Sequence, residues 1–225
     1  MKYCILTLLA LFLSAQVAAQ KIRLHKDRLL PHQVSMSFEK IAGKKALKVI
    51  KDATVIPVDE PTFVRIKDVE LINGVIEVKV LSRLLPNAPP TARGFIGIAF
   101  RIDDKNETFE SIYIRPTNGR ANDQVRRNHS IQYFSYPDYK FDALRKTSPE
   151  KYESYADMGL DEWITMRIEI QGSEARLFLN DSKYPALIVN DLKLGDNPAG
   201  GGVGLWVEVG TEGYFRDLRM SVGAE

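Results

Sequence analysis

The chain has 225 residues, 44% of them hydrophobic, with 31 Lys and Arg against 29 Asp and Glu, 15 Gly, 11 Pro and a single Cys. This composition is too apolar for a disordered chain, has no collagen repeat, and offers no cysteine framework or cysteine-rich metal site. A formal charge of +2 creates no whole-molecule field that would concentrate nucleic acid or an anionic membrane, so neither is expected as a partner.

Residues 1–19 carry Lys2, then an apolar run from Cys4 to Leu13, then small residues ending Val17-Ala18-Ala19. A basic start, a short apolar core and a small-residue end describe a secretory signal peptide cleaved after Ala19. The apolar run is shorter than the roughly 18 residues a membrane-spanning helix needs. Cys4 lies inside this leader, so residues 20–225 are expected as one exported, cysteine-free domain. Export without disulfides fits a bacterial periplasm or cell exterior better than a eukaryotic extracellular fluid. Residues 21–32, basic and running past Pro31, read as either a first strand or a loose arm.

Beyond them apolar residues recur with period two, the mark of strands with one buried face. The segments include Ile76/Val78/Val80, Ile96/Ile98/Phe100/Ile102, Ile112/Ile114, Ile164/Met166/Ile168/Ile170, Leu177/Leu179 and Val203/Leu205/Val207/Val209. Turn chemistry separates them at Asn73-Gly74, Pro86-Asn87-Ala88-Pro89-Pro90, Asp103-Asp104-Lys105-Asn106, Gly172-Ser173 and Gly200-Gly201-Gly202. About eleven to thirteen strands result, which predicts an all-β, two-sheet antiparallel sandwich. Helical period is scarce; residues 141–155 hold a turn or short helix, with Ser148-Pro149-Glu150 resembling a helix start.

One segment, residues 113–133, stands out chemically. Arg115, Arg120, Arg126 and Arg127 share it with Asn118, Asn128, Gln124, Gln132 and His129, against one acid, Asp123. Guanidinium groups bind carboxylates in paired hydrogen bonds, and side-chain amides suit sugar hydroxyls, so all of these are candidate ligand-binding residues. The bland alternative is a solvated loop whose arginines pair with Glu110, Asp123, Glu153 or Glu169. With Ile112 and Ile114 inward, alternation turns Ser111, Tyr113 and Arg115 outward, and by the same rule Trp206 and Glu208. Trp206 is then either a stacking platform for a sugar ring or a residue under a covering loop. Both it and Glu208 join the candidate ligand set.

The C-terminal third reads Glu162-Trp163-Ile164-Thr165-Met166-Arg167-Ile168-Glu169-Ile170, then Leu177-Phe178-Leu179-Asn180, Gly202-Val203-Gly204-Leu205-Trp206 and Tyr214-Phe215-Arg216-Asp217-Leu218. In these motifs the chain resembles the concanavalin A-like lectin/glucanase jelly rolls. Within them it is similar to LamG-like modules and to bacterial 3-keto-disaccharide hydrolase-like domains. The resemblance covers residues 33–222 and is strongest after residue 160. It implies a curved sandwich whose concave sheet holds a carbohydrate groove. It also implies a structural calcium between first and last strands, with Glu39 and Asp217 as candidate oxygen ligands; no other cofactor is expected. Trp163, at a strand start, is read as framework.

The Glu-x-Asp-x-x-Glu strand that such glucanases use for their paired carboxylates is absent, as are His-Glu-x-x-His and Gly-x-Ser-x-Gly. Three readings remain. The first is an exported carbohydrate-binding or carbohydrate-processing jelly roll acting on an acidic or oxidised glycan. The second is a glycoside hydrolase of 3-keto-glycoside type, or a polysaccharide lyase, with His129 as base, Tyr133 or Tyr113 as proton donor and Arg126 or Arg127 on a carboxylate. The third is an envelope adhesion module that binds protein.

Overall fold

The computed structural model describes residues 19–195 and 200–223; residues 1–18 of the leader lie outside the described residues. In chain order the elements are β1 (Gln20–Lys21), β2 (Leu29–His32), β3 (Val34–Ile41), β4 (Lys44–Lys51), β5 (Phe63–Glu70), β6 (Gly74–Leu84), β7 (Ile96–Ile102), β8 (Phe109–Ile114), α1 (Pro116–Gly119), α2 (Gln124–Asn128) and β9 (Ile131–Tyr136). They continue as α3 (Phe141–Thr147), β10 (Glu153–Ser154), β11 (Ile164–Gln171), β12 (Glu174–Leu179), β13 (Leu187–Val189), β14 (Gly202–Val207) and β15 (Thr211–Val222). The strands form two antiparallel sheets. The first runs β13-β12-β11-β6-β15-β4-β3, with β1 added to β15; the second runs β10-β9-β8-β7-β14-β5-β2. Residues 21–32 are thus tied down at both ends, by β1 on β15 and β2 on β5.

The sheets meet over side chains that alternation aims inward. Gly213 of β15 marks one close approach: a Cβ there would lie 2.6 Å from Val207 Cγ1 and 3.2 Å from Ile96 Cδ1, both reaching across from the second sheet. The core between them includes Leu47, Val49, Ile76, Val78, Val80, Ile98, Ile112, Met166, Ile168 and Leu205, all fully buried.

The two sheets differ on their outer sides. On the first, β11 alternates buried and half-buried residues, and Arg167, Glu169, Glu77 and Arg219 line its wet face. Trp163 belongs to this side, in a small cluster with Ala46, Leu81 and Tyr214, and lies 4.2 Å beneath the Arg216 guanidinium. On the second, every residue of β7, β8 and β14 is buried. Antiparallel sheets commonly solvate one face; here loops and short helices cover it.

Two local expectations change. The helix of residues 141–155 is α3, and Ser148-Pro149-Glu150 follows its end rather than starting it. Proline disfavours the helical conformation of the residue before it, so Ser148 is where the helix stops. The arginine-rich segment is not open loop: α1 begins on Pro116, whose fixed φ and missing N–H suit a first helical turn, and α2 is capped by Asp123, which accepts from Arg126 N at 3.1 Å.

Candidate functional site

The site is founded on a rank of residues running straight across the outer face of the second sheet. Register places Phe63, Trp206, Gly97, Tyr113, Gln132 and Glu153 side by side on β5, β14, β7, β8, β9 and β10. Gly97 is required at its place: a Cβ would come within 2.5 Å of Tyr113 Cβ. Its absence lets the Trp206 and Tyr113 rings meet 4.8 Å apart between centroids, with Phe134 5.4 Å from the tryptophan. Trp206 therefore faces the side that alternation predicts, but it is fully buried, and its Nε1 donates to Glu60 O at 2.9 Å. The covering segment before β5 excludes it from any ligand, which corrects the stacking-platform expectation: Trp206 is the foundation under the site.

At the end of β8, Arg115 is a buried hub. Its Nη1 donates to His129 O (3.1 Å) and Glu153 Oε1 (3.0 Å), and its Nη2 to Tyr113 Oη (2.7 Å) and Gln132 Oε1 (3.1 Å). Glu153 also accepts from Arg145 Nε at 3.0 Å. Burial would raise the Glu153 pKa, but the hydrogen bonds and charges of Arg145 and Arg115 outweigh it and hold it below the ordinary value. His129 Nδ1 lies 2.9 Å from Glu153 Oε2 without the alignment of a directed hydrogen bond. Burial, helped by the charges of Arg145 and Arg115, lowers the histidine's pKa despite the opposing pull of Glu153.

Above this hub opens a cavity of about 420 Å³. Tyr113, Arg115, Asn118, Arg126, His129 and Glu208 all line it, so residues distant in sequence do converge there. Its apolar walls are Phe95, Phe141, Val58 and Val125, the last 66% exposed at the rim. The guanidinium groups of Arg93 and Arg126 reach it and, among the described residues, donate only to neutral groups: Arg93 to Pro90 O and Ala92 O, Arg126 to Asn118 Oδ1 and Thr117 Oγ1. Neither forms a salt bridge among the described residues. Burial, then the neighbouring charges of Arg126 and Arg115, lowers the Arg93 pKa, the sign of cations crowded without an anion.

Two carboxyl groups complete the cavity. Glu208 is fully engaged: Lys51 Nζ and Val209 N donate to Oε1, the latter at 2.7 Å, and Asp59 N donates to Oε2 at 2.9 Å. Burial raises its pKa against the pull of Lys51. Asp59 is 1% exposed and, among the described residues, accepts only from Phe141 N, at 2.8 Å on Oδ2. Burial pushes its pKa up to about 7.

The remaining candidates lie elsewhere. Tyr133 is one residue from Gln132 on β9, so alternation turns it between the sheets, where it donates to Glu110 Oε1 at 2.6 Å. There it shares a buried network with Arg101, which donates to Glu110 Oε2 at 3.1 Å. It cannot assist His129. Gln132 is buried beneath the cavity and spent on Arg115. Arg120 points away, clasping Asp157 (2.8 and 2.9 Å) and Glu162. Arg127 stacks on Tyr155 and donates to its hydroxyl at 2.6 Å. Asp123 caps α2, and Gln124 donates to Asn128 one turn later, at 2.7 Å. Glu39 takes Lys48 and Tyr214 as partners, whereas Asp217 faces Lys21 and Arg216. Each carboxylate is balanced by its own cation, and no group of three or more His, Cys, Asp or Glu fit to hold a metal ion occurs among the described residues. The calcium expectation does not fit this donor set.

Sequence reasoning missed Asp59, Arg93, Phe95, Phe141 and Arg145. None sits in a patterned segment; only chain folding brings them to the outer face.

No protein-family model matches the chain, and no curated protein matches it by sequence. Solved structures do. The carbohydrate-binding module CBM66 from Bacillus subtilis superposes with a TM-score of 0.53 at 11% identity, over 85% of this chain and 96% of that one. The chain shares with that module a two-sheet antiparallel jelly-roll fold. A galectin-like protein of unknown function from Bacillus subtilis (TM-score 0.49, 8% identity, 84% and 87% covered) and an alginate lyase from a Chlorella virus (0.48, 11%, 85% and 90%) are also similar. At these identities the likeness extends to the fold alone. No helix among the described residues is long and apolar enough to cross a membrane.

Proposed function

We propose that this jelly roll binds an acidic carbohydrate in the cavity on the outer face of its second sheet. One observation carries the reading: two guanidinium groups, Arg93 and Arg126, face one cavity with aromatic walls and have no carboxylate partner among the described residues. Unpaired cations in a partly desolvated pocket favour an anion. Planar guanidinium forks favour a carboxylate, while Phe95 and Phe141 offer apolar faces to a sugar ring. The volume, about 420 Å³, is within the range of small-molecule sites. Arg115, by contrast, is neutralised by Glu153 and positions the floor.

Two further considerations support a carbohydrate ligand and export. The superposable CBM66 structure is that of a carbohydrate-binding module, and the leader at residues 1–19 has the pattern of a secretory signal.

The test is calorimetric titration of residues 20–225 with galacturonate and glucuronate oligomers and with their neutral counterparts. The acidic oligomers are expected to bind and the neutral ones to bind at least about tenfold more weakly. Arg93→Ala with Arg126→Ala should remove that preference, since a charge-assisted hydrogen bond contributes about 1.5–3 kcal/mol, while the unfolding midpoint stays near that of the wild type. Equal affinity for both oligomer classes, or an unchanged preference in the double variant, would refute the anionic assignment. Binding of no glycan would favour the protein-adhesion reading.

A further inference from the structure

Asp59 has an environment unlike that of the other acids in and around the cavity. Glu208 has Lys51, Glu153 has Arg115 and Arg145, and Glu60 beside it has Lys140. Asp59 alone among these has no salt bridge among the described residues. Phe141 N donates to its Oδ2, while Oδ1 takes no hydrogen bond among the described residues. Charged and titratable groups reach it from each neighbouring element: Glu208 from beyond β14, Arg115 and Tyr113 from β8 and its end, and Lys140 from the start of α3. Across the cavity stand Arg93, Arg126, Arg145 and His129. The nearest cations are thus already balanced by other carboxylates, and the closest anion, Glu208, opposes a second negative charge.

We propose that Asp59 is the proton-carrying specificity residue of the cavity: its protonated carboxyl donates a hydrogen bond from Oδ1 to the bound glycan, so that an anionic sugar is taken up together with a proton. This rests on the acidic-carbohydrate reading above and names the regulation of that site. A protonated carboxyl is both donor and acceptor, whereas its ionised form accepts only and repels a second carboxylate. Burial places the Asp59 titration at about pH 7, with the Phe141 N–H lowering it and Glu208 raising it. An arriving uronate adds negative charge nearby and favours the protonated form further. Linkage is reciprocal, so the proton in turn favours the uronate.

The experiment titrates residues 20–225 with a galacturonate trisaccharide at about pH 6 and about pH 8, using wild type, Asp59→Asn and His129→Gln. Across one linked titration the wild type should bind up to about tenfold more weakly at the higher pH. Asp59→Asn, which keeps a donor and cannot ionise, should bind nearly equally at both, and His129→Gln should retain the wild-type slope. A wild-type affinity independent of pH, or a slope that survives Asp59→Asn and disappears in His129→Gln, overturns the proposal while leaving the acidic-carbohydrate reading intact. Binding at neither pH overturns that reading and the proton coupling with it. Carbon-13 NMR of the free protein gives a ligand-independent check: the carboxyl signal missing in Asp59→Asn should titrate near neutrality, and a midpoint near an ordinary aspartate's refutes the proposal.

Discussion

The two sheets of this sandwich are built from similar sequence patterns and end in different environments. The first keeps one wet face, where Arg167, Glu169, Glu77 and Arg219 extend into solvent and a half-buried Trp163 lies under Arg216. The second is roofed by the segment before β5 together with α1, α2 and α3, so that β7, β8 and β14 are buried on both faces. Roofing a sheet desolvates whatever polar groups its outer face carries. Most are then spent on one another, as Arg115 is on Glu153, Tyr113 and Gln132. Where the roof leaves a cavity, groups without such partners remain, and these are Arg93, Arg126 and Asp59. The site proposed above is the unfilled part of the roof.

The two tryptophans give the sharpest way to break this comparison. Trp206→Ala should destabilise the fold by about 3–5 kcal/mol, the usual cost of truncating a fully buried aromatic, read as a shift of the urea unfolding midpoint. Trp163→Ala should cost about 1–2 kcal/mol, because Trp163 is only partly buried. Similar losses would mean that the two outer faces are equally covered. Glu110→Ala, which strands Arg101 in the sealed network between the sheets, should also cost about 3–5 kcal/mol and leave galacturonate binding unchanged in whatever protein remains folded.

Asp59 gives the next largest effect, with a definite sign. Its pKa is raised on folding, so the native state binds more protons than the unfolded chain, and its contribution to stability falls as pH rises from about 4 to about 7. Asp59→Asn should therefore be more stable than the wild type at pH 8 by on the order of a few kcal/mol, and the gap should close toward pH 4 in parallel thermal melts. A gap independent of pH would mean that the carboxyl is ionised in the native state. The smallest effect is expected at Arg120. It is half exposed and pairs with surface carboxylates, so Arg120→Ala should leave the unfolding midpoint close to that of the wild type, closer still in high salt, without altering oligomer affinity.

Much of the architecture was legible in the sequence, and the site only in part. Period two placed β6, β7, β8, β11, β12 and β14 and assigned their faces: Tyr113 and Trp206 do lie on the side opposite Ile112 and Leu205. The same rule turns Tyr133 away from its neighbour Gln132 and from the outer face on which the cavity opens, since neighbours along a strand face opposite ways. Arg115, Asn118, Arg126, His129 and Glu208 reach the cavity, whereas Arg120 and Arg127 from the same segment point to solvent and to Tyr155. Within α1 and α2 a step of one residue turns a side chain by about 100°, so a cluster in sequence scatters in space. Asp59 and Phe141 had no readable link to the site, because each owes its place to a segment, the loop before β5 or the start of α3, folded back over strands distant from it in the chain.

Sequence alone determined the sandwich, because strand alternation is a local property of the chain: each residue's face follows from its neighbours two positions away. Which faces are wet, which arginines find carboxylates and which carboxyl keeps its proton are set by groups that approach from far along the chain. Those depend on desolvation and on charge separation over a few ångströms, quantities that exist only once the roof has closed over the second sheet.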